Sequence, residues 1–234
     1  MIVRGTKGGF LLIAQHDHGL VSGEFARRFS AEWIGDAPLR EDALYAISNH
    51  DVGWRGLDDE VLWNPEKERP YSFVNYPSEP KMVAYTEGLD LIASRSPYAA
   101  LLCSMHYGSF VERSRDSHER LFREQEEIRR KRLRSSMSAR ELEGIERDFR
   151  LLQLCDDLSL FVCLNEPGKE VYPWHKNGFD LFGRRFDPVW EDRETLRFEP
   201  TPFCEGFDIA LPYRVLDPDG SLVEKNNLRL RVTC

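Results

Sequence analysis

Four stretches of the chain carry apolar residues at the spacing of three and four that is typical of an amphipathic helix, and a histidine or an aspartate interrupts each stripe. The interruptions are His18, the adjacent pair His50-Asp51, His106 and Asp156. A buried polar group without a partner costs about 1–3 kcal/mol, so these side chains need partners in the core. The stripes therefore predict a helical bundle whose polar core residues form hydrogen bonds with one another or bind a common ion.

Each interruption also has a simpler interpretation. His18 would be a surface residue at a helix start, and His106 would be a core histidine that bonds a backbone carbonyl. The pair His50-Asp51 would cap a helix that ends near Gly53. Asp156 would pair with an arginine from the Arg-rich segments. Asp157 also competes with Asp156 for any ligand role, but Asp156 lies on the line between Leu152 and Leu160 and Asp157 does not. Periodicity therefore favours Asp156.

The order of these residues resembles that of the HD-domain superfamily of metal-dependent phosphohydrolases, which have ligands in the order His, His-Asp, Asp. The strings Gln15-x-x-His18, His50-Asp51-x-Gly53-Trp54, Ser-x-His106 and Cys155-Asp156-x-Leu-Ser are similar to an uncharacterised bacterial branch of that superfamily. The resemblance covers residues 15–165. It implies an all-helical fold in which His18, His50, Asp51 and Asp156 are the metal ligands.

The resemblance also implies a reaction. We expect hydrolysis of a phosphoester or phosphoanhydride by metal-activated water, with His106 and Asp51 as candidate catalytic residues. One divalent transition metal per chain is expected, and the mixed nitrogen and oxygen ligands suit iron, manganese, nickel, cobalt or zinc equally. Two alternatives stay open: an HD-type iron oxygenase, in which a second metal would recruit His106, and a non-catalytic sensor that binds metal or ligand.

The segment from Trp54 to Pro80 follows the His-Asp pair and is rich in aromatic residues and proline, with little periodicity. We interpret it as a wall or lid over the metal, in which Arg55, Arg69 and Tyr71 are candidate substrate-binding residues. The alternative is an ordered loop that only covers the helix ends.

Charge and composition limit the partners. The net charge of -8 and a pI near 5.4 disfavour binding to nucleic acid or anionic membranes, and no apolar run reaches the length of a membrane span. Five cysteines without Cys-x-x-Cys spacing favour a reducing cytoplasm. The expected partner is a small, phosphorylated substrate.

The predicted fold class is mainly α, with an HD-domain-like helical bundle and a small antiparallel β appendage from the two terminal segments. Residues 1–15 would form a β-hairpin around Gly8-Gly9, residues 16–165 the helical metal-binding domain, and residues 166–234 a β-rich extension packed on it. The turn signal Asp217-Pro218-Asp219-Gly220 supports the extension. The sheet would brace the helical domain or form a homodimer interface.

Overall fold

The computed structural model describes residues 1–35, 39–169 and 173–234. The helices of the described residues occupy the middle of the chain. They are α1 (Gln15–Arg28), α2 (Ala31–Ile34), α3 (Arg40–Asn49), α4 (Arg55–Asp59), α5 (Ser78–Arg95), α6 (Pro97–Val111), α7 (Ser117–Ser135), α8 (Ala139–Leu142) and α9 (Ile145–Leu164). Short 3₁₀ turns follow at Val52–Trp54 and Pro173–His175.

The strands come from both ends of the chain and from one hairpin between them. They are β1 (Ile2–Thr6), β2 (Gly9–Ile13), β3 (Trp63–Asn64), β4 (Arg69–Pro70), β5 (Phe179–Leu181), β6 (Arg184–Trp190), β7 (Thr195–Glu199), β8 (Phe207–Leu216) and β9 (Leu222–Thr233). Seven of them form one sheet in the order β1-β2-β8-β9-β7-β6-β5, and β3 pairs only with β4. The β7–β9 pair is parallel and the other pairs of the sheet are antiparallel.

This sheet overturns the predicted fold class. The chain is about half helical and carries a large curled sheet of seven strands, so a mainly α bundle with a small antiparallel appendage is wrong, as is the all-helical fold implied by the resemblance. The physical reason lies largely in β9, whose first six residues, Leu222–Asn227, are all exposed. A strand with so little buried surface has a weak hydrophobic signal in the sequence. Even so, β9 is the central strand of the seven-stranded sheet.

The sheet and the helices share one core. Along β8, Phe207, Ile209 and Leu211 are buried and alternate with exposed residues, as expected for a strand with one covered face. Phe25 of α1 packs edge-on against Phe207 and Phe198, with ring centroids 5.5 and 6.2 Å apart. α1 therefore lies between the sheet and the helices α3 and α9, which it also contacts.

Local signals fix the helices that carry the candidate residues. Ser96 accepts a hydrogen bond from the Ala99 N–H and starts α6, and Pro97 occupies the first turn of that helix. Ser138 and Glu141 form a capping box that starts the short α8, and α9 begins at Ile145. In the described ranges, no helix has both the length and the apolar character needed to cross a membrane.

Candidate metal centre

Four side chains from separate parts of the chain converge in the core. The His18 Nε2 atom lies 3.3 Å from the Asp51 Oδ2 atom and 3.2 Å from the Asp156 Oδ1 atom. The His50 Nε2 atom lies 3.7 and 3.3 Å from the same two oxygens, and 3.3 Å from the His18 Nε2 atom. All four residues are at most 8 % exposed, and we call this group the cluster. The simpler interpretation of His18 as a surface residue does not match this burial.

These distances fit donors around one ion. Donors about 2.1 Å from a metal lie roughly 3.0 Å apart at octahedral angles and about 3.4 Å apart at tetrahedral angles. The five nitrogen–oxygen and nitrogen–nitrogen separations in the cluster range from 3.2 to 3.7 Å. Buried histidine and aspartate groups in this chain could therefore hold a metal ion.

Hydrogen bonds behind the two histidines orient their rings. His50 Nδ1 donates to the Ile47 carbonyl oxygen at 2.8 Å, so Nε2 is the ring nitrogen that faces the cluster. His18 Nδ1 bonds the Ser159 hydroxyl, and that hydroxyl donates to the Asp156 carbonyl oxygen at 3.0 Å. Both imidazoles thus have the second hydrogen bond that metal-ligating histidines almost always make.

The Asp51 carboxylate is held from two sides. Gln15 Nε2 donates to Asp51 Oδ2 at 2.9 Å, and the Tyr107 hydroxyl lies 3.3 Å from Asp51 Oδ1. The same hydroxyl donates to the His50 carbonyl oxygen. Tyr107 therefore positions both members of the His-Asp pair at the point where α3 ends.

Charges within the cluster compensate one another. Burial lowers the pKa of His50, but the Asp51 and Asp156 carboxylates outweigh it and raise that pKa to about 9. Burial raises the pKa values of Asp51 and Asp156, but the neighbouring imidazoles bring both below the ordinary value. The protein thus stabilises two ionised carboxylates in its core, which is the form that binds a cation.

Gly53 allows the turn after Asp51 to pack closely against α5. A Cβ atom on Gly53 would lie 2.2 Å from the Ala84 carbonyl oxygen of α5, and one on Gly88 would lie 2.8 Å from the Gly53 backbone nitrogen. The turn therefore packs backbone to backbone against α5, and only glycine permits this approach. The cluster's position depends on this contact.

His106 lies at the edge of the cluster. Its Nε2 atom is 3.5 Å from Asp156 Oδ2, whereas His18 and His50 contact Oδ1. In the part of the chain that the structure describes, two groups of three residues could each hold a metal, His18-His50-Asp51 and His50-His106-Asp156. Burial lowers the pKa of His106 to about 4. Its Nδ1 atom has no hydrogen-bond partner among the described residues, in contrast to the other two histidines. The expected carbonyl bond of a structural core histidine is thus missing.

Asp157 and the candidate substrate-binding residues lie elsewhere. Asp157 is exposed, unlike Asp156 beside it in α9. Arg55 is exposed in α4 and donates to His16 Nε2, whereas the Arg69 guanidinium stacks over the Phe10 ring and Tyr71 packs edge-on against Tyr76. The structure thus brings Arg55 close to the start of α1, and it places Arg69 and Tyr71 in contacts within and beside the 54–80 segment.

Sequence reasoning gave no role to three residues that support the cluster, Gln15, Tyr107 and Ser159. Gln15 precedes His18 by three positions and Ser159 follows Asp156 by three, so helical spacing could have placed both on the ligand faces. Tyr107 has no such signal, because a tyrosine in an apolar helix usually indicates core packing.

No curated protein and no solved structure matches the chain. A family model does match, and it covers most of the sequence, residues 1–218. This match and the seven-stranded sheet make the assignment to the HD-domain superfamily wrong, since the His-Asp pair is a short motif that other folds can also carry. The chain belongs to the family described as "Protein of unknown function (DUF3891)".

Proposed function

We propose that this protein is a metal-dependent hydrolase that cleaves a phosphoester or phosphoanhydride. The observation that carries the proposal is the cluster itself, in which each of two imidazole nitrogens lies within 3.7 Å of an oxygen of both carboxylates. We further propose one divalent transition metal per chain, because the mixed nitrogen and oxygen donors suit such ions better than calcium or magnesium.

The ion, when bound, would act as a Lewis acid that activates water and neutralises charge on a phosphoryl oxygen. His18, His50, Asp51 and Asp156 would hold it. His106 would exchange a proton at Nε2, since its buried imidazole favours the neutral form that accepts one. Its unpaired Nδ1 leaves the ring free to change tautomer, whereas Nδ1 of His50 must keep its proton to donate to a carbonyl oxygen.

Elemental analysis and a substrate panel test the proposal together. Protein purified without chelator should contain about one equivalent of manganese, iron, cobalt, nickel or zinc, and it should release phosphate from phosphomonoesters, phosphodiesters or nucleotides. His106→Gln should keep the metal and lose most turnover. Metal without turnover on any phosphate compound would overturn the hydrolase and leave a metal-binding protein without this catalysis. Absence of metal after reconstitution would overturn the centre.

A second candidate is an iron oxygenase with two ions. The two oxygens of Asp156 face different histidines, His18 and His50 on one side and His106 on the other, so this carboxylate could bridge two ions. Two equivalents of iron, one of them lost in His106→Gln, would favour this candidate. One equivalent that the variant retains would favour the hydrolase.

A further inference from the structure

A cleft of about 740 Å³ opens beside the cluster, at the first turn of α1. Its walls come from α1, α4 and the strands β8 and β9, and they include His16, Arg55, Arg214 and Lys225. None of the four cluster residues lines it. The cleft is therefore a separate surface, and the hydrolase proposal assigns it no ligand.

Three cations line this cleft, Arg55, Arg214 and Lys225, and none of them has a carboxylate partner among the residues that the structure describes. Arg55 donates only to His16 Nε2, and no ion pair involves Lys225. Arg214, by contrast, donates to the Asp58 carbonyl oxygen at 2.8 Å. Arg55 and Lys225 thus have charge available for an anion.

The start of α1 adds backbone donors. Ala14 provides no side-chain cap, the Gln15 N–H donates to Asp58 Oδ2 at 2.6 Å, and the His18 N–H donates to the Ala14 carbonyl oxygen. Within the described ranges, the N–H groups of His16 and Asp17 have no acceptor. Free N–H groups at the positive end of a helix of this length attract an anion, and phosphate is the usual one.

His16 supplies a second indication of a ligand. Because a guanidinium can only donate, its bond from Arg55 makes His16 Nε2 an acceptor and places the ring proton on Nδ1. That Nδ1 atom is buried and has no partner among the described residues, and the residue is only 8 % exposed. A buried donor of this kind is stabilised when a ligand or water oxygen accepts from it.

The other residues that line the cleft indicate which kind of molecule carries the anionic group. The aspartates Asp17, Asp58 and Asp59 line the same cleft. Asp58 is already paired with the Gln15 N–H and the N-terminal ammonium. Asp17 and Asp59 would repel a bare anion, but their carboxylates can accept bonds from hydroxyl groups. Asn226 and Asn227 add amide groups that both donate and accept. Tyr213 is the aromatic residue of the lining, and its hydroxyl is bonded to Glu224. Walls with so little aromatic surface and with these polar groups fit hydroxyl groups better than a nucleobase.

We propose that this cleft binds a phosphorylated, hydroxyl-rich small molecule, a polyol or sugar phosphate, with its phosphate on Arg55 and the N-terminus of α1. The site does not depend on hydrolysis at the cluster. Gln15 links the two places, since its N–H lies at the cleft end of α1 and its side chain bonds Asp51.

Calorimetric titration of chelator-treated protein tests this proposal apart from the hydrolase, because no metal or turnover is needed. The probes are glucose 6-phosphate, glucose, inorganic phosphate and AMP. Glucose 6-phosphate should bind at least about 10-fold more tightly than each of the other three. Arg55→Gln should weaken it at least about 10-fold, whereas Arg113→Gln, a matched change of an exposed arginine in the turn that follows α6, should not.

A second variant separates the hydroxyl and phosphate contacts. Asn227→Ala should weaken glucose 6-phosphate and leave inorganic phosphate unchanged. Equal binding of glucose 6-phosphate by the wild type and Arg55→Gln would overturn the phosphate site. Tighter binding of AMP than of glucose 6-phosphate would overturn the ligand class. Circular dichroism spectra would establish that the variants fold.

Discussion

The cluster and the cleft lie at opposite sides of the same helix turn, yet they differ in how their polar groups are paired. In the cluster, His18, His50 and Asp51 all make supporting hydrogen bonds, and opposite charges compensate. In the cleft, Arg55 and Lys225 lack carboxylate partners within the described residues. A preorganised cluster suits a small ion of fixed geometry, whereas an open cleft with spare charge suits a larger molecule that brings its own hydrogen-bonding groups.

The largest effect should come from the adjacent aspartates of α9. Asp156→Asn should reduce metal affinity by more than about 100-fold, because it removes an anionic ligand from a buried site. Mutation of a residue that only hydrogen-bonds a ligand already lowers metal affinity by about 10–100-fold. Asp157→Asn is the matched control, since the same change one residue later affects an exposed side chain. Metal equivalents after dialysis measure both. If the two variants lose metal alike, the cluster is not the binding site.

Tyr107 tests whether the hydrogen bonds behind the ligands matter. Tyr107→Phe removes the hydroxyl that bonds Asp51 and the His50 carbonyl, and metal affinity should fall by about 10–100-fold. Tyr85→Phe is the control, because this ring stacks on Tyr107 at 3.8 Å and has no hydrogen bond to the cluster in the described residues. Competition with a chromophoric chelator gives both affinities. An unchanged affinity in Tyr107→Phe would mean that packing alone preorganises the site.

These two tests bear on what sequence can and cannot predict. Helical spacing favoured Asp156 over Asp157, and it placed His18 and His106 on buried faces, because one helix face meets the core whatever the surrounding fold is. The cleft had no such signal. Arg214 and Lys225 belong to strands of a sheet that is larger than the predicted appendage. Their approach to Arg55 depends on long-range strand pairing, including that of β8 with β9. Arg69 likewise stacks on Phe10, which only the tertiary structure brings near.

Gly53 tests how far the cluster depends on its backbone contact with α5. Gly53→Ala should lower the free energy of unfolding by about 1–3 kcal/mol, because the new Cβ atom would overlap the Ala84 carbonyl oxygen. Gly56→Ala should leave that free energy unchanged or raise it, since Gly56 lies in α4 with nothing within 4 Å of an added Cβ. Chemical denaturation of the metal-free proteins measures the difference. Equal stability of the two variants would contradict the close packing of this turn.

The smallest expected effect is that of salt, which should weaken ligand binding in the cleft and leave metal binding in the cluster unchanged. Raising sodium chloride from about 20 to about 200 mM shortens the screening length severalfold, so glucose 6-phosphate should bind the exposed charges of the cleft several-fold more weakly. The metal content of the cluster should not change, because its charges are buried and compensated by neighbours within 4 Å. Calorimetry and elemental analysis of the same samples give both readings. A salt-independent affinity for glucose 6-phosphate would mean that Arg55 and Lys225 do not contribute charge to binding, and the contrast between a paired cluster and an unpaired cleft would then fail.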